Sequence, residues 1–338
     1  MTLRILIDGR PLVGHRTGIG VHTAEIARRL GGHRLIASHA AIADREGLDG
    51  CELRVDAAPL GVIWQQLVLP RIEADVLWGP HGTLPLAGDV PAVATIHDFT
   101  SITMPGRHRI QTILSFNLFI AQSLTRAKRV AAVSRRVAEE TVRGFAIART
   151  KIEIVPNGVD ELFSPGGDEG DYILYVGTLE PRKGLDDLLD AWRSLSPRPR
   201  LILCGSAGWG TKIADEAGIE KTGFVDRERL RALYRGARLF VYPSRSEGFG
   251  IPPLEAMACG APVVATRVGA IPEYAEGAAL LVEPGDRDGL QRAMQRALSS
   301  RALRDELRLA GPARAAGYRW DRSAQLMNEL LAEAARCA

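Results

Sequence analysis

Two carboxylates eight positions apart, Glu247 and Glu255, bracket the stretch Glu247-Gly-Phe-Gly-Ile-Pro-Pro-Leu-Glu255, with Ser244-Arg-Ser just ahead of it. The apolar run Arg238-Leu-Phe-Val-Tyr242 leads in and reads as a buried strand. Pro252 suits the first turn of a helix, where its missing N–H costs nothing, and Gly260 marks that helix's end. Strand, glycine-bearing loop and helix N-terminus together make a natural site for an anionic ligand, because unpaired backbone N–H groups and the helix dipole face it.

A second group of chemistry-bearing residues follows the strand Tyr172-Ile-Leu-Tyr-Val176. The loop Gly177-Thr-Leu-Glu-Pro-Arg182-Lys183-Gly184 carries two adjacent cations before the helix that begins at Leu185. Paired cations at a strand–helix turn suit the clamping of phosphate oxygens; the alternative is a solvated loop. Near the N-terminus, Gly18, Gly20 and Thr23 form G-x-G-x-x-T, running from the loop after the strand Leu3–Ile7 into the helix Val21–Leu30. The third glycine of a dinucleotide fingerprint is missing, so the pattern marks either a place where amides approach a phosphate or a tight turn. Pro91-Ala-Val-Ala-Thr-Ile96 reads as a strand that delivers His97-Asp98 at its carboxyl end, where open α/β sheets bind ligands. His97 is a site candidate, with a structural loop histidine as the bland reading.

Two near misses are set aside. Gly205-Ser-Ala-Gly-Trp-Gly210-Thr-Lys212 has Thr-Lys where a P-loop requires Lys-Ser/Thr. Asp286-Arg-Asp288 mimics the D-x-D of metal-dependent sugar transferases, but it stands just before a helix, where acids cap.

These residues need a scaffold. At 338 residues, with ordinary apolar and charged fractions, two α/β domains are expected, each able to bury a core. The acid-rich, glycine-rich run Ser164-Pro-Gly-Gly-Asp-Glu-Gly170 reads as the linker. A net charge of +3 gives no overall argument for nucleic acid. Four scattered cysteines without a C-x-x-C pair fit a reducing cytoplasm and argue against zinc or a disulfide framework. No apolar run reaches the ~20 residues a membrane span needs, and Asp8 follows the N-terminus too soon for a signal peptide. Arg107, Arg109, Arg126, Arg129, Arg135, Arg136 and Arg143 make one stretch of the first half basic. Solvated helix faces are the favoured reading there, with an anionic membrane surface or an anionic acceptor as the alternative.

Taken together, Thr17-Gly-Ile-Gly20, Thr95-Ile-His-Asp98, Pro156-Asn-Gly158, Val176-Gly-Thr-Leu-Glu-Pro-Arg-Lys183, Glu247-x7-Glu255 and Tyr318-Arg-Trp320 resemble glycosyltransferase family 4, almost end to end. The resemblance implies an α/β GT-B fold, two Rossmann-like domains whose parallel sheets face an interdomain cleft. Residues 1–165 would be the acceptor domain, 166–317 the nucleotide-sugar domain, and a helix over about 318–338 would cross back to the first. It further implies retaining hexose transfer with no metal or other cofactor. Glu255 would accept hydrogen bonds from ribose hydroxyls and Glu247 from a hydroxyl of the donor sugar. Amides around Gly248, Phe249 and Gly250 would approach sugar and phosphate, with Ile251 and Leu254 in the same donor-binding stretch. Arg182 and Lys183 would neutralise the leaving diphosphate, helped by the Gly18 to Gly20 amides. The base would lie near Gly205, Phe224 and Val225, and His97 beside the reacting sugar. Many relatives carry an arginine where this chain has Thr178, which puts more of the clamp on Arg182.

The partners so implied are a nucleotide sugar, GDP-mannose first and a UDP-sugar second, and a saccharide or glycolipid acceptor, with no nucleic acid. Peripheral membrane contact through the basic N-terminal region is an option for a cytoplasmic protein with a lipid-linked acceptor. A GT-B epimerase or phosphorylase, or a non-catalytic nucleotide binder, are the rival readings; a mere binder does not need the Arg182-Lys183 clamp.

Overall fold

The computed structural model describes residues 2–14, 16–104, 116–208 and 213–337. Arg107, Arg109 and residues 209–212 of the P-loop near miss lie outside the described residues. The chain forms two compact units, Met1–Gly158 with Trp320–Ala338, and Val159–Arg319.

In the first unit, β1 (Arg4–Asp8), β2 (His33–Ser38), β3 (Glu52–Val55), β4 (Val76–Gly79), β5 (Ala92–Ile96), β6 (Arg129–Ala132) and β7 (Ile152–Ile154) form one sheet in the order β3-β2-β1-β4-β5-β6-β7. Every pairing is parallel. A parallel sheet is covered on both faces, so its strands are continuous apolar runs; Ile5, Leu6 and Ile7 are all buried. Its helices include α1 (Gly18–Ala27), α2 (Gly61–Leu67), α3 (Ile120–Arg126) and α4 (Arg135–Phe145). Ser134 caps α4 by accepting from Val137 N at 3.2 Å, as its sequence position suggests.

The second unit repeats the plan with β8 (Tyr172–Val176), β9 (Arg200–Cys204), β10 (Ile219–Gly223), β11 (Ala237–Tyr242), β12 (Val263–Thr266) and β13 (Leu280–Val282), ordered β10-β9-β8-β11-β12-β13 and again all parallel. Its helices are α5 (Leu185–Arg193), α6 (Arg227–Gly236), α7 (Ile251–Ala258), α8 (Ile271–Ala275), α9 (Arg287–Ser299) and α10 (Arg301–Ala315). Both sheets reverse their winding at one place, between β1 and β4 and between β8 and β11. Such switch points open a crevice beyond the strands' carboxyl ends.

The chain enters the second unit before the linker-like run: Phe163 packs edge-on against Tyr234, and Arg235 Nε donates to Ser164 O at 2.7 Å. The last helix, α11 (Trp320–Arg336), belongs to the first unit. Its Ser323 Oγ donates to Pro156 O at 2.6 Å, and Asp321 pairs with Arg29 of α1 at 2.8 Å. Strand β10 runs from Ile219 through Glu-Lys-Thr and ends at Gly223, just before Phe224 and Val225. As a sheet edge it is partly solvated, which removes the apolar signal a buried strand shows. Asp286 is a cap, accepting from Gly289 N at 2.8 Å. Arg126 donates to Gly88 O and Val90 O, Arg129 to Thr150 O, and Arg136 pairs with Glu140. These arginines spend donors inside the fold.

Candidate active site

The Lys183 loop and the Glu247 loop leave β8 and β11, the two strands flanking the second switch point. Pro181–Lys183 is a single 3-10 turn closed by Gly184 at φ +67°. A Cβ on Gly184 would lie 2.1 Å from Pro243 O, so only glycine lets this loop close on the end of β11. Arg245 N then donates to Arg182 O at 2.9 Å, tying the loops together. Arg245 is itself held by Asp187, a buried carboxylate that also accepts from Arg287 Nε at 2.7 Å.

Glu247 Oε1 receives three donors: Lys183 Nζ at 2.5 Å, Ser244 Oγ at 2.6 Å and Tyr242 Oη at 2.9 Å. Lys183 Nζ also donates to Tyr242 Oη at 3.1 Å. Arg182 Nη1 stands 3.7 Å from Glu247 Oε2, while its Nε pairs with Glu180 at 2.6 Å. Burial pushes the Glu247 carboxyl up, but Lys183 and Arg182 outweigh it and hold the group at about 2. Burial and the neighbouring Arg182 lower Lys183, against the pull of Glu247.

From this cluster the chain turns through Gly250, at φ +87°, into α7. Gly250 O accepts from Tyr274 Oη at 2.6 Å. Phe249 and Leu254 are core residues. The Phe249 ring packs against Tyr274 and Tyr318, and Leu254 is fully buried, so Phe249 can offer a ligand only backbone while Ile251 is half-buried. Glu255 Oε2 accepts from Tyr234 Oη at 2.9 Å. Gly205 is fixed by its neighbour: a Cβ there would meet Gly177 O at 2.2 Å. Thr178 is exposed, and Phe224 is 62 % exposed beside half-buried Val225. The closing turn of α7 uses Gly260 at φ +78° with Ala261 N bonded to Ala256 O.

In the first unit, His97 Nε2 bonds to Pro80 O at 2.8 Å. A carbonyl only accepts, so Nε2 carries the proton and Nδ1 presents a lone pair. His22, fully buried, stands edge-on to His97 with ring centroids 4.7 Å apart, and its Nδ1 donates to Asn157 Oδ1 at 2.6 Å. Burial lowers both imidazoles, keeping them neutral. Gly20 is required sterically, since a Cβ would meet Pro11 O at 2.7 Å; around Gly18 a Cβ would meet nothing within 4 Å. Tyr242, Asp187, His22 and Asn157 had no role assigned from sequence. Each acts across a long gap in the chain, and the Pro156-Asn-Gly158 signature alone could have pointed to one of them. Among the described residues, no three His, Cys, Asp or Glu side chains are placed to hold a metal ion.

Residues 16–161 match the model for Glycosyltransferase Family 4, and residues 161–314 the model for Glycosyl transferases group 1. The chain is 30 % identical over 370 residues to O-antigen chain mannosyltransferase B of Escherichia coli, covering 94 % of this chain and 97 % of that one. It belongs to glycosyltransferase family 4. Among solved structures, sucrose-phosphate synthase from Thermosynechococcus elongatus superposes with TM-score 0.79 at 22 % identity, covering 99 % of each chain. HepE of Anabaena, in complex with UDP-glucose, gives TM-score 0.77 at 20 % identity over 99 % of this chain and 100 % of its own. That likeness carries the fold, GT-B, with its two Rossmann-like parallel sheets. This family 4 member is therefore a glycosyltransferase, and no described helix is long and apolar enough to cross a membrane.

Proposed function

We propose that the enzyme transfers mannose from GDP-mannose, with retention and without a metal, to a lipid-linked saccharide or polysaccharide on the cytoplasmic side of a membrane. The observation that carries the donor is the end-to-end similarity to a mannosyltransferase of O-antigen synthesis. A UDP-sugar is the second reading, favoured by the likeness to a UDP-glucose-bound HepE.

The chemistry follows from charge. As the diphosphate leaves, negative charge grows on its oxygens while the anomeric carbon becomes cationic. Cations at Arg182 and Lys183, on a loop tied to the Glu247 loop, stabilise the first change. Glu247 holds a sugar hydroxyl, Glu255 the ribose, and the amides from Gly248 to Gly250 approach the phosphate. Base binding falls to the neighbourhood of Gly205, Phe224 and Val225. Retention through a covalent intermediate would need a free carboxylate nucleophile. Glu247, with Oε1 taken by three donors, is a poor one. The acceptor then attacks on the leaving-group face, with a phosphate oxygen as base and His97 Nδ1 accepting from a sugar hydroxyl.

A donor panel decides between the readings. GDP and GDP-mannose should raise the melting temperature and UDP-glucose should not; the reverse pattern would replace the donor. Liposome co-sedimentation tests the membrane contact, and absence of binding to anionic lipid removes it.

A further inference from the structure

We propose that Tyr274 is a positioning residue for the donor diphosphate: by holding the carbonyl of Gly250 it aims the amides of Phe249 and Ile251 at the phosphate oxygens. The proposal rests on the donor-site reading above and deepens it, naming which amides of the Glu247 loop meet the diphosphate and what fixes them.

Two carbonyls of that loop are tied to one neighbouring segment. Gly248 O accepts from Ala270 N at 3.1 Å, and Gly250 O accepts from Tyr274 Oη at 2.6 Å. Tyr274 lies in α8, and Ala270 directly precedes it. The segment comes this close because residue 269 is glycine: a Cβ there would lie 2.7 Å from Glu247 O and 2.8 Å from Gly248 O. Across a trans peptide the C=O and the N–H point to opposite sides. Anchoring the carbonyls of Gly248 and Gly250 on the α8 segment therefore turns the next N–H groups, those of Phe249 and Ile251, away from it. Neither N–H has a partner among the described residues, although Phe249 is buried. Ile251 opens α7, where the helix itself leaves N–H groups over. Buried N–H groups are nearly always paired, so two of them turned to one side of a glycine-bearing loop suit the oxygens of an anion.

Tyr274 is itself held rigidly. It is fully buried, with its ring 5.5 Å from that of Phe249 and 5.7 Å from that of Tyr318, centroid to centroid. Its neighbour Ile271 packs on the same glycine, since a Cβ on Gly250 would meet Ile271 Cγ1 at 2.9 Å. Burial, with Glu247 nearby, holds the phenol well above its ordinary value, so it keeps the proton that it donates to Gly250 O. Phenylalanine at this position would keep the ring contacts and remove the donor alone. The Gly250 carbonyl, and with it the Ile251 N–H, would then be free to turn.

The test is NMR on the full chain, isotope-labelled at phenylalanine and isoleucine nitrogen and titrated with inorganic pyrophosphate. The Phe249 and Ile251 amide signals should move, and Tyr274→Phe should weaken pyrophosphate by about tenfold, the worth of one charge-assisted hydrogen bond. The variant should weaken GDP or UDP, whichever the parent binds, by the same factor, because only the diphosphate contact is touched. A merely structural role would not give that equality: a nucleotide loss well beyond the pyrophosphate loss means that the whole site has loosened, and overturns the proposal. So does an unchanged pyrophosphate affinity in Tyr274→Phe, or Phe249 and Ile251 signals that stay in place. Lys183→Ala separates this outcome from the donor-site reading. If it weakens pyrophosphate while Tyr274→Phe does not, the role of Tyr274 alone falls; if neither variant does, the reading and the proposal fall together.

Discussion

Lys183 Nζ stands 2.5 Å from Glu247 Oε1 although 64 positions separate the two residues, and Tyr242 Oη bonds to both. In the proposed donor site, a diphosphate drawn to Lys183 would compete with Glu247 for that ammonium, and a carboxylate so freed could turn to a sugar hydroxyl. Phosphate capture and sugar capture would then be coupled through one ion pair. Glu247→Gln should then bind GDP more tightly, by about tenfold or ~1.4 kcal/mol, while transferring sugar more slowly. The same variant leaves a buried ammonium without its counter-charge, so it should lose roughly 3 kcal/mol of stability. Calorimetric titration and urea unfolding give both numbers; GDP binding weaker than the parent's would refute the coupling.

In the proposed mechanism, Lys183→Ala removes a cation from the leaving group. Transfer should fall by about 10²–10³-fold, mainly in kcat, because the interaction strengthens as the phosphate leaves. Full transfer rates in this variant, with a competent donor, would show that the charge work is done elsewhere.

Gly18 and Gly20 are separable. Alanine at Gly20 would meet Pro11 O at 2.7 Å and should destabilise the first unit by about 1–3 kcal/mol. Alanine at Gly18 meets no atom of the described residues within 4 Å and, on helix propensity alone, should leave the melting temperature equal or slightly higher. If a ligand approaches that backbone, Gly18→Ala should still lower kcat/KM. Unaltered activity would assign the glycine to the turn alone.

Acid should destabilise the protein earlier than its carboxylates require. His22, His81 and His97 are all held below their ordinary value, so the unfolded chain binds protons first as pH drops below about 6.5. Stability therefore falls with pH in this window. His81 alone, lowered from 6.5 to about 4, should account for about 3 kcal/mol of the loss by pH 4. Glu247, lowered to about 2, keeps its full contribution until pH drops below 4.5 and loses it only beyond. Urea midpoints at pH 7 and pH 5 should converge in His81→Gln relative to the parent; an identical slope would contradict the assignment.

The strand–loop–helix around Glu247, the cap at Ser134, the helix stop at Gly260 and the adjacency of Arg182 and Lys183 are all legible along the chain, because each depends on residues a few positions apart. Edge strands such as Ile219–Gly223 were not, since a partly solvated strand lacks a continuous apolar run. The family itself is legible from local motifs. What the motifs leave open is which of their residues meet. Phe249 sits inside a motif yet spends its ring on Tyr274 and Tyr318, and Tyr242, which no motif singles out, bridges the central ion pair. The meeting of Lys183 with Glu247 depends on strand order. Strand order is set by how two sheets bury their faces, a property of the whole fold that no window of sequence contains.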